Sequence, residues 1–225
     1  MANEQEKEAA ARASLQFIQD GQVVGLGTGS TAAFFIKLLA EKVKTGLRIR
    51  GIPTSVQSHD LALRLGIPLT TLDECQEIAV TVDGADEVDP QLRLIKGGGG
   101  AMLREKIVAS ATRQLVIVAD GSKQVPVLGR FPLPVEVIPF AEAVVANRIR
   151  TLGAEVWLRK ASDGRAFITD QENHVLDCRF GAIHDAEGLS RQLNDIPGLV
   201  EHGLFIGMAS IALFARGNEI VELRK

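Results

Sequence analysis

From Gln22 to Ala119 the chain alternates two kinds of stretch. Short β-rich runs, Val23 to Leu26, Arg48 to Ile52, Ile78 to Val82, Leu92 to Ile95 and Leu115 to Ala119, are separated by helical ones, Thr31 to Val43, Ser55 to Leu65 and Ala101 to Ala111. Such alternation predicts βαβ units around a mostly parallel sheet. The strand runs are largely apolar rather than apolar at every second position, which predicts helices on both faces: a doubly wound α/β half.

The pattern changes at Phe131 to Pro139, where Pro132, Pro134 and Pro139 interrupt it, and a domain crossing is expected there because proline cannot donate to a central ladder. Beyond it come a predicted helix from Phe140 to Leu152, strands at Glu155 to Leu158, Ala166 to Thr169 and Val175 to Cys178, and a helix near Ala186 to Asn194. Turns at Ser162-Asp163-Gly164 and Gln171-Glu172-Asn173 predict an antiparallel sheet with helices on one side. Two further strands, Ile211 to Phe214 and Glu219 to Leu223, are free to rejoin the first half.

Composition narrows the function classes. A net charge of -3 without a long like-charge run argues against a nucleic-acid partner. Apolar runs such as Ala32 to Ile36 fall far short of a bilayer crossing, so no membrane partner is expected. Met1 to Asp20 reads as an amphipathic helix rather than a signal peptide. Cys75 and Cys178 fit neither a zinc site nor a disulfide framework, and reduced cysteines in a cytoplasmic protein are expected. His59, His174, His184 and His202 show no metal-ligand spacing, and Trp157 is expected in core or interface.

Chemistry gathers where predicted strands end. Gly25-Leu26-Gly27-Thr28-Gly29-Ser30-Thr31 joins a strand to a helix, a place where backbone N–H groups aim at an anion. It lacks the lysine of a Walker A loop, Ser30 stands at the third glycine position of the dinucleotide fingerprint, and a small phosphoester suits the hydroxyls of Thr28, Ser30 and Thr31. The plain alternative is a strand-to-helix turn capped by Ser30 or Thr31.

Asp83-Gly84-Ala85-Asp86-Glu87-Val88-Asp89 holds four acids in seven residues at the end of a strand. Acid–base chemistry on a sugar, a metal site of unusual spacing, or a solvated acidic turn would each account for them. Lys96-Gly97-Gly98-Gly99-Gly100 then precedes a helix carrying Glu105; four glycines carry a heavy entropic cost that a close ligand would explain, with Lys96 beside its reacting oxygens. Lys123, after Asp120-Gly121-Ser122, is a phosphate candidate or a solvated lysine, and Lys7 a weaker one.

Taken together, GLGTGSTA (25–32), DGADEVD (83–89), KGGGGAMLREKI (96–107) and ADGSKQV (119–125) resemble the motif set of the type A ribose-5-phosphate isomerases in order and spacing, as do FPLPVEVIPFA (131–141) and IPGLVEHGLF (196–205). Gly100 departs from the pattern, which commonly carries alanine there. The resemblance implies a Rossmann-like catalytic domain (1–130 and 204–225), a smaller ferredoxin-like α/β domain (131–203), a homodimer or tetramer, and no cofactor or metal. It implies conversion of ribose 5-phosphate to ribulose 5-phosphate through an enediolate, in the non-oxidative pentose phosphate pathway, with Glu105 as base. Lys96 would stabilise the oxyanion and Asp83 would open the furanose. Substrate contacts are implied at Thr28, Gly29, Ser30, Thr31, Asp83, Gly84, Ala85, Asp86, Lys96, Gly97, Gly98, Gly99 and Lys123. A sugar-phosphate sensor and an acyl-CoA transferase share the architecture; the first lacks its DNA-binding appendage here, and the second needs room for a long cofactor.

Overall fold

The computed structural model describes residues 2–217 and 219–225, so Met1, at the start of the predicted N-terminal helix, lies outside it, as does Asn218. In chain order the elements are α1 (Ala2–Ser14), β1 (Val23–Leu26), α2 (Ser30–Lys44), β2 (Arg50–Pro53), α3 (Val56–Leu65), β3 (Ile78–Asp83), β4 (Glu87–Val88), β5 (Leu94–Ile95), α4 (Met102–Ser110) and β6 (Thr112–Asp120). There follow β7 (Leu133–Val137), α5 (Glu142–Thr151), β8 (Glu155–Leu158), β9 (His174–Arg179), α6 (Ala186–Asn194), β10 (Leu199–His202), β11 (Leu204–Phe205), β12 (Ala209–Arg216) and β13 (Glu219–Arg224).

The main sheet runs β13-β12-β6-β3-β1-β2, parallel throughout except for β13 at its edge. Its central strands are apolar on both sides because both faces are covered. On β6, Val116 and Val118 join a core with Phe35 and Leu39 of α2 and Ala10 and Ala11 of α1. The intervening Leu115, Ile117 and Ala119 pack with Met102 of α4 and Phe205. The chain is therefore mixed α/β around a mostly parallel sheet, as expected.

The second sheet, β10-β7-β9-β8, is antiparallel throughout. With α5 and α6 it forms a β-α-β-β-α-β unit, the ferredoxin-like arrangement. Val145 and Ile149 of α5 and Leu193 of α6 bury against Val135, Val137 and Leu176 of its strands.

Four local expectations give way. Leu92–Ile95 does not join the parallel sheet: Leu92 turns at φ 59°, and only Leu94–Ile95 remains extended, pairing antiparallel with β4 and β11. The cause is Asp89, whose carboxylate accepts from the Gln91 and Arg93 amides, both at 2.9 Å, and from Arg93 Nε. The proline-rich crossing contains a strand, β7. Its neighbour β10 ends at His202, opposite Val135, so no carbonyl there needs a donor from Pro134, whose own carbonyl accepts from Gly203 N at 2.8 Å. Ala166 to Thr169 makes two isolated bridges rather than a strand. Trp157 is 38% exposed on the edge strand β8, beneath the Arg179 guanidinium, and is not core.

Candidate active site

The strands β1, β3 and β6 end on one side of the main sheet, where open α/β folds bind ligands. A cavity of about 150 Å³ opens there. Three of its walls come from the glycine loop (Thr28, Gly29, Ser30, Thr31), the acidic turn (Gly84, Ala85, Asp86) and the Lys96 to Gly99 run. Glu105, Lys123 and Lys7 complete it. All the predicted substrate contacts except Asp83 line this cavity.

Gly29 stands at the N-cap of α2 with φ 100°, a left-handed backbone that favours glycine. Among the described residues no side chain caps the helix, so neither Ser30 nor Thr31 takes the capping role, and the first-turn amides remain available to an anion. The Thr28 hydroxyl is spent on the scaffold, 2.7 Å from Thr54 Oγ1 and 2.8 Å from Ser55 Oγ. That corrects the expectation of a free hydroxyl donor at this position.

Asp83 lies one layer below, only 1% exposed. Its Oδ1 accepts from the amides of Thr28 at 3.0 Å and Gly84 at 2.7 Å, and its Oδ2 stands 3.1 Å from Lys96 Nζ. Direct contact with a sugar ring was expected of it; the structure engages both of its oxygens and connects it to the cavity through Lys96. Lys96 also donates to the Gly84 carbonyl and stands 3.3 Å from Glu105 Oε1. Burial works against this ammonium's charge, but Asp83 and Glu105 outweigh burial and hold it charged, above the ordinary lysine range.

Glu105 projects from the first turn of α4, 5% exposed. Its Oε2 is buried without a hydrogen-bond partner among the described residues. Burial pushes its carboxyl up to about 8; Lys96 pulls it down and Asp83 adds to the rise. Asp86 accepts from the Gly98 amide at 2.7 Å, tying the acidic turn to the glycine run.

The other two acids of the turn are structural. Glu87, fully buried, accepts from the amides of Gly129 and Phe131, both at 2.7 Å, and so fixes the crossing between the two sheets; Asp89 closes its own turn. Among the described residues no cluster of three metal-ligating side chains occurs. His202 is buried and pushed down to about 3 by burial and by Lys106, hence neutral. Sequence reasoning missed Arg159, which reaches the glycine run from the second sheet; a lone arginine after a strand carries no signal of such a contact.

Known proteins resemble this chain over its whole length. The family profile described as ribose 5-phosphate isomerase A (phosphoriboisomerase A) matches residues 50–219. The chain is 52% identical to ribose-5-phosphate isomerase A of Parvibaculum lavamentivorans, covering 98% of this chain and 99% of that one. It is 52% identical to the namesake from Agrobacterium fabrum over 94% of each. Among solved structures, a D-ribose-5-phosphate isomerase in complex with phospho-erythronic acid superposes with a TM-score of 0.97 at 41% identity, over the whole of both chains. The ribose 5-phosphate isomerase A from Methanocaldococcus jannaschii gives 0.94 at 41% identity over 99% of each.

Proposed function

This chain belongs to the ribose 5-phosphate isomerase A family, and on that premise we propose that Glu105 carries the proton between C2 and C1 while Lys96 holds the oxygen that becomes negative. The reaction itself is the interconversion of ribose 5-phosphate and ribulose 5-phosphate in the pentose phosphate pathway. The observation that carries the residue assignment is the buried, unpartnered Glu105 Oε2 in the cavity wall beside a charged lysine.

An aldose becomes a ketose when a base takes the proton from C2, the electrons pass into the carbonyl, and the proton returns at C1 through a cis-enediolate. A carboxylate whose pKa is raised towards neutrality is strong enough to take that proton and weak enough to return it. Glu105 Oε1 stays with Lys96, which leaves Oε2 for the carbon acid. Lys96, with amides of the glycine run, meets the enediolate oxygen, a type of contact worth on the order of 3 kcal/mol in the barrier.

Asp83 serves through Lys96, keeping the ammonium charged and in place. Ring opening, a proton exchange at the anomeric hydroxyl and ring oxygen, falls to Asp86, which lines the cavity beside the charged Lys96. The phosphate is assigned to the α2 N-terminus with Ser30, Thr31, Lys123 and Lys7, whose binding energy orients C1 and C2 against Glu105. The family reading further assigns a homodimer or tetramer in the cytoplasm, with a small domain over residues 131–203. No described helix is long and apolar enough to cross a membrane.

The test is formation of ribulose 5-phosphate by purified protein in EDTA, beside the Glu105→Gln variant. Full activity in EDTA with loss in the variant supports the assignment; EDTA sensitivity would turn Asp83 and Asp86 into candidate metal ligands and overturn it.

A further inference from the structure

Arg159 stands just after β8, outside the cavity, yet its guanidinium is bonded into the cavity wall. Nη1 donates to the carbonyl oxygens of Gly97 at 2.8 Å and Gly98 at 3.1 Å. Its other edge is held by Asp177 of β9: Nε donates at 2.9 Å to one carboxylate oxygen and Nη2 to the other. Phe167 lies 5.8 Å from the guanidinium carbon, and its ring occupies the space that a Cβ on Gly100 would need.

We propose that Arg159 is a positioning residue for the isomerisation: by pulling two glycine carbonyls outward, it turns the Gly98 amide onto Asp86 and the Gly99 amide towards the substrate. A planar trans peptide points its C=O and the following N–H in opposite directions. The peptide between Gly97 and Gly98 shows this, with its oxygen on Arg159 and its N–H on the cavity residue Asp86. In the next peptide the oxygen again faces Arg159, and the Gly99 amide has no hydrogen-bond partner among the described residues. That amide is the free donor for a developing enediolate oxygen.

The run closes one turn itself, the Gly100 amide donating to the Gly97 carbonyl at 3.0 Å, but the peptide between Gly98 and Gly99 has no such bond among the described residues, and glycine has wide backbone freedom. A rigid guanidinium fork supplies the constraint, and lysine, a point charge, cannot span two carbonyls and a carboxylate at once. The inference rests on the proposed use of glycine amides at the enediolate.

Its test uses Arg159→Met, which keeps the stem against Phe167, and Arg159→Lys. Each is assayed for kcat and KM, for thermal unfolding, and for inhibition by two probes. One is phospho-erythronic acid, the compound held by a solved relative, whose planar carboxylate stands in for the enediolate. The other is ribitol 5-phosphate, with the same phosphate and no carboxylate. The expected result is a fall in kcat and in affinity for phospho-erythronic acid, each on the order of 10²-fold, with KM and ribitol 5-phosphate binding nearly unchanged in both variants.

Equal weakening of both probes, or an unchanged kcat, would overturn the inference. Should Arg159→Met fail to fold, Asp177→Asn loosens the same guanidinium and must show the same split between probes. Glu105→Gln, run alongside, separates the two readings: if it is inactive while Arg159→Met is normal, only the role of Arg159 falls. If Glu105→Gln stays active, the base assignment falls instead.

Discussion

Replacing Glu105 with glutamine should stop isomerisation and, at alkaline pH, make the protein harder to unfold. Burial carries the Glu105 carboxyl from 4.5 up to about 8 against the pull of Lys96. Between those pH values the native state holds a proton that the unfolded chain has released. Wild-type stability from this group is therefore full below about 4.5 and is lost as pH rises to about 8. At roughly 1.4 kcal/mol per pH unit the ceiling of that loss is about 5 kcal/mol, and water entering the open cavity lowers it to a few.

Glutamine copies the size of the protonated acid but does not titrate, so the variant escapes the loss. The gap in stability should be near zero at about pH 5 and should widen to roughly 2–5 kcal/mol by about pH 9, an upward shift in Tm of some 5–15 °C for a chain of this size. Over the same range wild-type kcat/KM should rise with pH as the base ionises, while the variant loses about 10²- to 10⁴-fold in kcat. Thermal unfolding and initial rates across the pH range measure both. A Tm difference that stays flat would refute the claim that this carboxylate is held protonated by burial, and a variant with substantial kcat would remove it as the base.

Lys96→Met should lower kcat on the order of 10³-fold and move the acid limb of the wild-type profile to higher pH, since Lys96 lowers the Glu105 pKa; an unmoved limb in the pH–rate profile would count against the pairing. Lys123→Ala and Lys7→Ala should each raise KM about tenfold with a smaller change in kcat, and the effect should shrink at high salt, as titration of KM against ionic strength would reveal. Gly98→Ala places a Cβ 2.6 Å from Asp86 Oδ1 on an exposed turn, so kcat should fall at least about tenfold while Tm barely moves; steady-state kinetics with calorimetry checks this.

Much of the frame was legible because burial on both faces leaves its mark on composition: Val23 to Leu26, Ile78 to Val82 and Leu115 to Ala119 read as parallel strands and are. Leu92 to Ile95 looks the same in sequence, but the Asp89 carboxylate collects donors from Gln91 and Arg93 and turns the chain away. Pro134 hid β7 for the opposite reason, since whether a missing N–H matters depends on where the neighbouring strand stops. The cavity wall was legible because glycines, lysines and acids gather at strand ends. Arg159 was not: its bond to Gly97 spans 62 positions, and neither residue type announces the other.

The acidic turn carries the sharper lesson, because four acids in seven residues divide by depth rather than by type. Irregular chain at the end of a buried strand leaves amides without partners, and a buried carboxylate is a strong acceptor for them. Glu87 and Asp89 answer that need, and Asp89 also holds the Arg93 guanidinium. Asp83 answers it too, through Thr28 and Gly84, but it keeps a second oxygen for Lys96, and that oxygen helps hold the lysine charged against its burial. The same lysine moderates Glu105 without quenching it, because Asp83 already shares its charge. A base near neutrality thus follows from three groups whose spacing is set by backbone amides, so disturbing the acceptor bonds of Asp83 should reach Glu105 without touching it.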